Sequence, residues 1–128
     1  MTLMDELGAI ASSTLEDATG LPFAAYSNTQ LHDIEQQKIF THDWVFACNT
    51  AELTKTGDYY AFDIGDEPVI VIRGDGDTIR ALSNVCRHRG TLLNDQGSGN
   101  KSRMVCPYHA WTYTTEGKLS GVPHAGNI

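Results

Sequence analysis

Two short segments, Cys86-Arg87-His88 and Cys106-Pro107-Tyr108-His109, each place one thiol and one imidazole within a few positions, and seventeen residues separate them. No single local turn brings four such donors together. Each pair has to sit at a loop tip, and rigid flanking strands have to carry both tips toward one place. The chain therefore needs a scaffold with two converging loops.

Two chemistries accept two sulfurs and two nitrogens. A zinc ion takes them tetrahedrally, which would make the chain a zinc-stabilised binding module. A mixed-ligand [2Fe-2S] cluster takes two cysteines on one iron and two histidines on the other. Familiar zinc fingers pair cysteine with cysteine and histidine with histidine, whereas each loop here carries one of each, which matches the two-iron arrangement better. Replacing two thiolates by neutral imidazoles removes about two negative charges from the ligand shell, so an added electron is less opposed and the potential rises. Such a centre is a one-electron relay.

The 128 residues suffice for one compact domain, and 41% apolar with 20% charged residues is the composition of a globular protein. No apolar run approaches the length that spans a bilayer, so no membrane segment is expected. The start, MTLMDELGAI, lacks the basic and apolar parts of a secretory signal, and the expected location is the cytoplasm. Cys48 is the one cysteine outside the motif, which points to a reducing compartment and a buried free thiol. A formal net charge of −7 argues against nucleic-acid binding through a basic surface and permits docking to a basic redox partner.

Residues 1–27 form an N-terminal arm in which Leu3, Leu7, Ile10 and Leu15 recur at roughly helical spacing until Gly20 and Pro22 interrupt it. A second helix starts at Thr29 as cap, with Leu31, Ile34 and Ile39 as its apolar face. From Asp58 the pattern becomes that of strands: Tyr60, Phe62 and Ile64 alternate with Tyr59, Ala61 and Asp63. Val69–Arg73 and Thr78–Asn84 flank Gly74-Asp75-Gly76-Asp77 and predict a hairpin. Ser102–Val105 predicts a short strand, and Trp111–Thr115 pairs with Lys118–Ser120 across Glu116-Gly117. Gly90, Gly97 and Gly99 supply bends, with the amide of Gly90 expected near the cluster sulfurs.

At CRHRG (86–90) and CPYHAWTY (106–113), followed by GKL (117–119), the sequence resembles the N-terminal Rieske [2Fe-2S] domain of aromatic-ring-hydroxylating oxygenase α subunits. The likeness covers most of residues 30–123, including IFTHDW (39–44), GDYYAFDIGDEPVIVIR (57–73) and Asn84. It implies a mainly β fold, a Rieske-type β-sandwich with a small cluster-binding subdomain over residues 28–128, preceded by N-terminal helical segments. It also implies Cys86 and Cys106 on one iron and His88 and His109 on the other. In such proteins, both mono- and dioxygenases, a reductase or ferredoxin supplies electrons. These pass to a mononuclear non-haem iron in an oxygenase catalytic domain. The second-loop histidine, matching His109, approaches an acidic residue of a neighbouring subunit, so a homo-oligomer is expected only for a full-length α subunit.

The mononuclear iron needs two histidines and a carboxylate. His32, His42 and His124 do not fall in the family's acid-x-x-His-x4-His pattern, and surface or capping roles are expected of the first two. By itself the chain is expected to carry electrons without oxygenating a substrate. A stand-alone Rieske ferredoxin is the alternative, disfavoured by the helical segment ahead of the first strand. Around the loops, Arg87 and Arg89 are either solvated charges or contacts for an acidic partner surface, Pro107 stiffens its loop, and Trp111 is expected as an anchor beneath the second loop. Respiratory-complex relatives carry a disulfide and hydroxyl donors where this chain has Thr91, Tyr108 and Trp111. Fewer donors mean a lower potential. A redox titration is expected to place the midpoint toward the lower end of the roughly −150 to +300 mV Rieske range, and a value above about +200 mV would contradict this.

Overall fold

The computed structural model describes residues 1–123, so the expectation for His124 lies outside the described residues. Contacts divide the chain into two units, Met1–Asp43 and Trp44–Ile128. In the first unit, helix α1 spans Leu3–Ala11 and opens on a capping box in which Thr2 and Asp5 each bind the other's backbone N–H. The helix ends before Leu15, which is 94% exposed. Ser12 and Ser13 explain the stop, because their hydroxyls bond back to the carbonyls of Gly8 and Ile10 and satisfy the last turn. Helix α2, Thr29–Glu35, is capped by Asn28 rather than the expected Thr29: the Asn28 side chain accepts the Leu31 N–H at 2.8 Å. It runs on into a single π-turn, Gln36–Phe40.

The second unit holds two antiparallel sheets. Strands β1 (Asp58–Ile64), β2 (Glu67–Arg73), β3 (Ile79–Ser83) and β4 (Gly97–Asn100) form the first, in the order β3-β2-β1-β4. Ile70, Val71 and Ile72 are all buried, so β2 is covered on both faces and reads as a continuous apolar run. The β2–β3 turn uses positive φ at Gly76 (67°) and Asp77 (60°), as the Gly-Asp repeat predicts. Strands β5 (Met104–Val105), β6 (Thr112–Tyr113) and β7 (Leu119–Gly121) form the second sheet in sequence order.

Strand β4, sequence GSGN, replaces the bends expected at Gly97 and Gly99. Glycine is a poor strand former, but Gly99 sits opposite Tyr59, and a Cβ there would come within 2.6 Å of the phenol ring. The missing side chain lets the edge strand lie against β1 with the tyrosine covering it. One buried cluster draws on both sheets: Ala61 and Ile70 from the first, Met104 and Tyr113 from the second, with Leu93, Cys86 and Cys106. The fold is mainly β with few helices, as expected.

The segment from β3 to β4 carries the first cysteine–histidine pair. It is pinched shut by a bridge between Val85 and Leu92 and by two buried asparagines. Asn84 Nδ2 donates to the Asn94 carbonyl at 2.7 Å, and Asn84 Oδ1 accepts both the Asn94 N–H at 3.1 Å and Asn94 Nδ2 at 3.0 Å. Lys101 Nζ donates to Asn94 Oδ1 at 2.7 Å. Removing Asn84 orphans several buried partners at once. Asn84→Ala is expected to lower unfolding free energy by about 1–3 kcal/mol, measured by urea denaturation.

Candidate metal centre

The two loops close by the same pair of hydrogen bonds. In the first, the Cys86 N–H reaches the Thr91 carbonyl at 2.8 Å and the Gly90 N–H reaches the Cys86 carbonyl at 3.0 Å. In the second, the Cys106 N–H reaches the Trp111 carbonyl at 2.8 Å and the Ala110 N–H reaches the Cys106 carbonyl at 2.9 Å. Both loops turn through a left-handed residue, Gly90 at φ 69° and Ala110 at φ 55°. At Ala110 this conformation costs roughly 1–2 kcal/mol, which the closure has to hold. The Gly90 N–H is engaged by the Cys86 carbonyl rather than directed at a sulfur, so this glycine serves the turn itself.

On this shared backbone the imidazoles are offset: His88 follows its cysteine by two positions and His109 by three. Their rings nevertheless meet, with centroids 5.0 Å apart at 62°. Cys86 and Cys106 are 2% and 3% exposed and belong to the same apolar cluster, whereas His88 is half-buried and His109 exposed. All four predicted residues are thus brought together as an inner thiol pair and an outer imidazole pair. A tetrahedral zinc wants all four donors around one atom, while a two-iron cluster wants a sulfur pair and a nitrogen pair on separate irons. The donor set fits the cluster.

Tyr113, 5% exposed, supports the inner pair. Its oxygen accepts the Arg87 N–H at 3.0 Å and lies 3.3 Å from Cys86 Sγ. With the amide occupying one lone pair, the phenol proton is free to point at the sulfur. Burial pushes the Cys86 thiol up, but hydrogen bonds from the Tyr113 hydroxyl, the His88 and Arg89 backbone and the Cys106 side chain outweigh it and hold the thiol below its ordinary value. Burial, and then the bond to Cys86, raises the Tyr113 phenol, so the proton stays on the donor. Burial, followed by Arg89 and His109, holds the His88 imidazole below its ordinary value, toward the neutral form that binds metal.

Aromatic rings flank both imidazoles. Trp111 packs against the buried cluster, as expected of an anchor, and also stacks on His88 of the other loop at 4.7 Å and 9°. Tyr108 lies 3.8 Å from His109 at 31°. A surface cleft of about 500 Å³ opens here, lined in part by His88, Cys106, His109 and Trp111. His32 and His42, in the first unit, are exposed, and His42 Nδ1 pairs with the Thr41 hydroxyl at 2.7 Å. Cys48 is a free thiol, as expected, but only partly buried. Sequence reasoning passed over Tyr113. The usable signal was strand alternation, which puts Tyr113 on the same face as Trp111.

A family model described as Rieske [2Fe-2S] domain matches residues 43–128. The chain belongs to this family. The oxygenase subunit of glycine betaine monooxygenase from Chromohalobacter salexigens is 46% identical to this Rieske chain over 99 residues, covering 77% of it and 22% of that protein. The large subunit of anthranilate 1,2-dioxygenase from Acinetobacter baylyi is 35% identical over 101 residues, 79% of this chain and 21% of that protein. The crystal structure of naphthalene 1,2-dioxygenase from Rhodococcus sp. superimposes with a TM-score of 0.83 at 37% identity, over 99% of this chain and 28% of that one. The chain thus spans under a third of the length of these relatives, and it corresponds to the N-terminal Rieske domain of oxygenase α subunits.

A hydrogen bond to a cluster sulfur favours the more negative, reduced state. Tyr113→Phe is therefore expected to lower the midpoint potential by roughly 20–60 mV, the equivalent of one ordinary hydrogen bond, with iron content retained. Protein-film voltammetry reads the shift.

Proposed function

We propose that this chain is the electron-input domain of a Rieske oxygenase, with Cys86 and Cys106 on one iron and His88 and His109 on the other. The supporting observation is the separation of a buried thiol pair from an outward imidazole pair. The bound [2Fe-2S] group supplies a one-electron carrier of moderate potential. The chain's own residues do the rest. The apolar cluster keeps water from the sulfurs, the Tyr113 hydroxyl offsets their charge, and the exposed His109 edge gives the electron a short way out of the domain.

In this reading a reductase or ferredoxin supplies electrons to the cluster, and the mononuclear iron of an oxygenase catalytic domain receives them by way of the His109 edge. The likeness to the naphthalene dioxygenase chain extends over 99% of this chain, which supports an oxygenase domain over a minimal Rieske ferredoxin. The free thiol at Cys48, the one cysteine outside the ligand loops, supports a cytoplasmic setting. Among the described residues no helix is long and apolar enough to cross a membrane.

Metal and sulfide analysis together with electron paramagnetic resonance of the reduced protein tests the proposal, with equal iron and inorganic sulfide expected. One zinc and no sulfide would replace it with a zinc-stabilised module. Cys86→Ser is expected to impair assembly, whereas His109→Cys retains whatever cluster forms at a lower potential, because a thiolate returns negative charge to the ligand shell. Unchanged iron and sulfide in the serine variant would contradict the ligand assignment.

A further inference from the structure

We infer that Trp111 is a positioning residue of the centre: its indole sets the ring plane of His88, a role in the relay beyond anchoring its own loop. The inference rests on the ligand assignment proposed above. An imidazole needs such a guide, because the last torsion of a histidine side chain is broad and leaves the ring plane open. In a ligating histidine that plane is ordinarily set by a hydrogen bond from the second ring nitrogen to a carboxylate, a carbonyl or a water. Among the described residues the one protein hydrogen bond to an imidazole is that between His42 and Thr41, so neither His88 nor His109 is held in this way by the chain itself.

Trp111 supplies the hold at His88. The two rings are 4.7 Å apart and 9° from parallel, within the range of offset stacking, and an imidazole that turned would lose this face. The indole does not depend on His88 for its own place. Its backbone carbonyl takes the Cys106 N–H at 2.8 Å, and its side chain packs against the buried cluster that draws on both sheets. The ring beside His109 is a weaker guide: Tyr108 is tilted by 31°, is 56% exposed and is merely the preceding residue of the same loop. The domain therefore fixes His88 from within and leaves the plane of His109 open. A ligand ring of fixed plane gives one metal–nitrogen geometry, whereas a ring free to turn gives a distribution.

The test is pulsed electron paramagnetic resonance of the reduced, cluster-loaded chain, which resolves the coupling of each ligating nitrogen, in wild type, Trp111→Phe and Trp111→Leu. Phenylalanine keeps a stacking face, and leucine keeps apolar bulk without one. Two resolved histidine couplings are expected in wild type and in Trp111→Phe. In Trp111→Leu one of the two is expected to be lost to broadening while the other stays, with iron and sulfide content unchanged. Two resolved couplings in Trp111→Leu overturn the inference. Equal broadening of both, or the same loss in Trp111→Phe, also overturns it, since Trp111 then acts on the loop as a whole. Should leucine prevent cluster loading, the flexible gap-filler of Trp111→Met takes its place, and failure of both to load assigns Trp111 to the fold and overturns the inference. These outcomes leave the ligand assignment intact, whereas a loaded wild type that shows no histidine nitrogen coupling overturns the assignment itself.

Discussion

The closure of each ligand loop on its own cysteine sets the geometry of the whole centre. Both loops tie the cysteine N–H to the carbonyl five residues on, and the cysteine carbonyl to the N–H four residues on. With the backbone of the cysteine fixed at both polar groups, its side chain has one place to go, and in both loops that place is the apolar cluster. The intervening residues are turned outward as a consequence. Thiols inside and imidazoles outside follow from twelve backbone positions, 86–91 and 106–111, and the strained φ at Ala110 shows how firmly the closure holds them.

The one-step offset of the histidines then distributes the supporting groups. Two positions after the cysteine the loops carry His88 and Tyr108, and three positions after it they carry Arg89 and His109. Each loop thus places one imidazole and one side chain that serves the other loop. Arg89 from the first lies over Tyr108 of the second, and Trp111 from just beyond the second stacks on His88 of the first. Cross-loop contacts of this kind resist separation of the two tips, which a relay of fixed geometry requires.

What the sequence disclosed follows the range of the interactions involved. The four donors, the Gly-Asp turn and strands β1 to β3 are local patterns, and each lies where its pattern puts it. Strand β4 was illegible because Gly99 earns its place through Tyr59, forty residues away. Tyr113 was illegible because its partners, Cys86 and the Arg87 amide, stand 27 and 26 residues earlier. The buried link from Asn84 to Asn94 spans ten residues and crosses the first ligand loop, so Asn84 could be noticed as part of a resemblance without its role being visible. At α1, helical spacing suggested Leu15, but the serines at 12 and 13 offered the backbone a competing set of bonds.

The cysteines are members of the core as well as of the centre, and this couples the two. Cys86 and Cys106 pack with Ala61, Ile70, Leu93, Met104 and Tyr113, drawing on both sheets. A protonated thiol suits that environment as a small apolar group, whereas a bare thiolate there is costly without a cation or hydrogen-bond donors. The Tyr113 hydroxyl and the loop N–H groups meet part of that cost, and iron meets the remainder when bound. Binding energy at the centre is therefore also packing energy between the sheets. A domain built in this way gains rigidity from its cofactor at the place where an electron relay needs it.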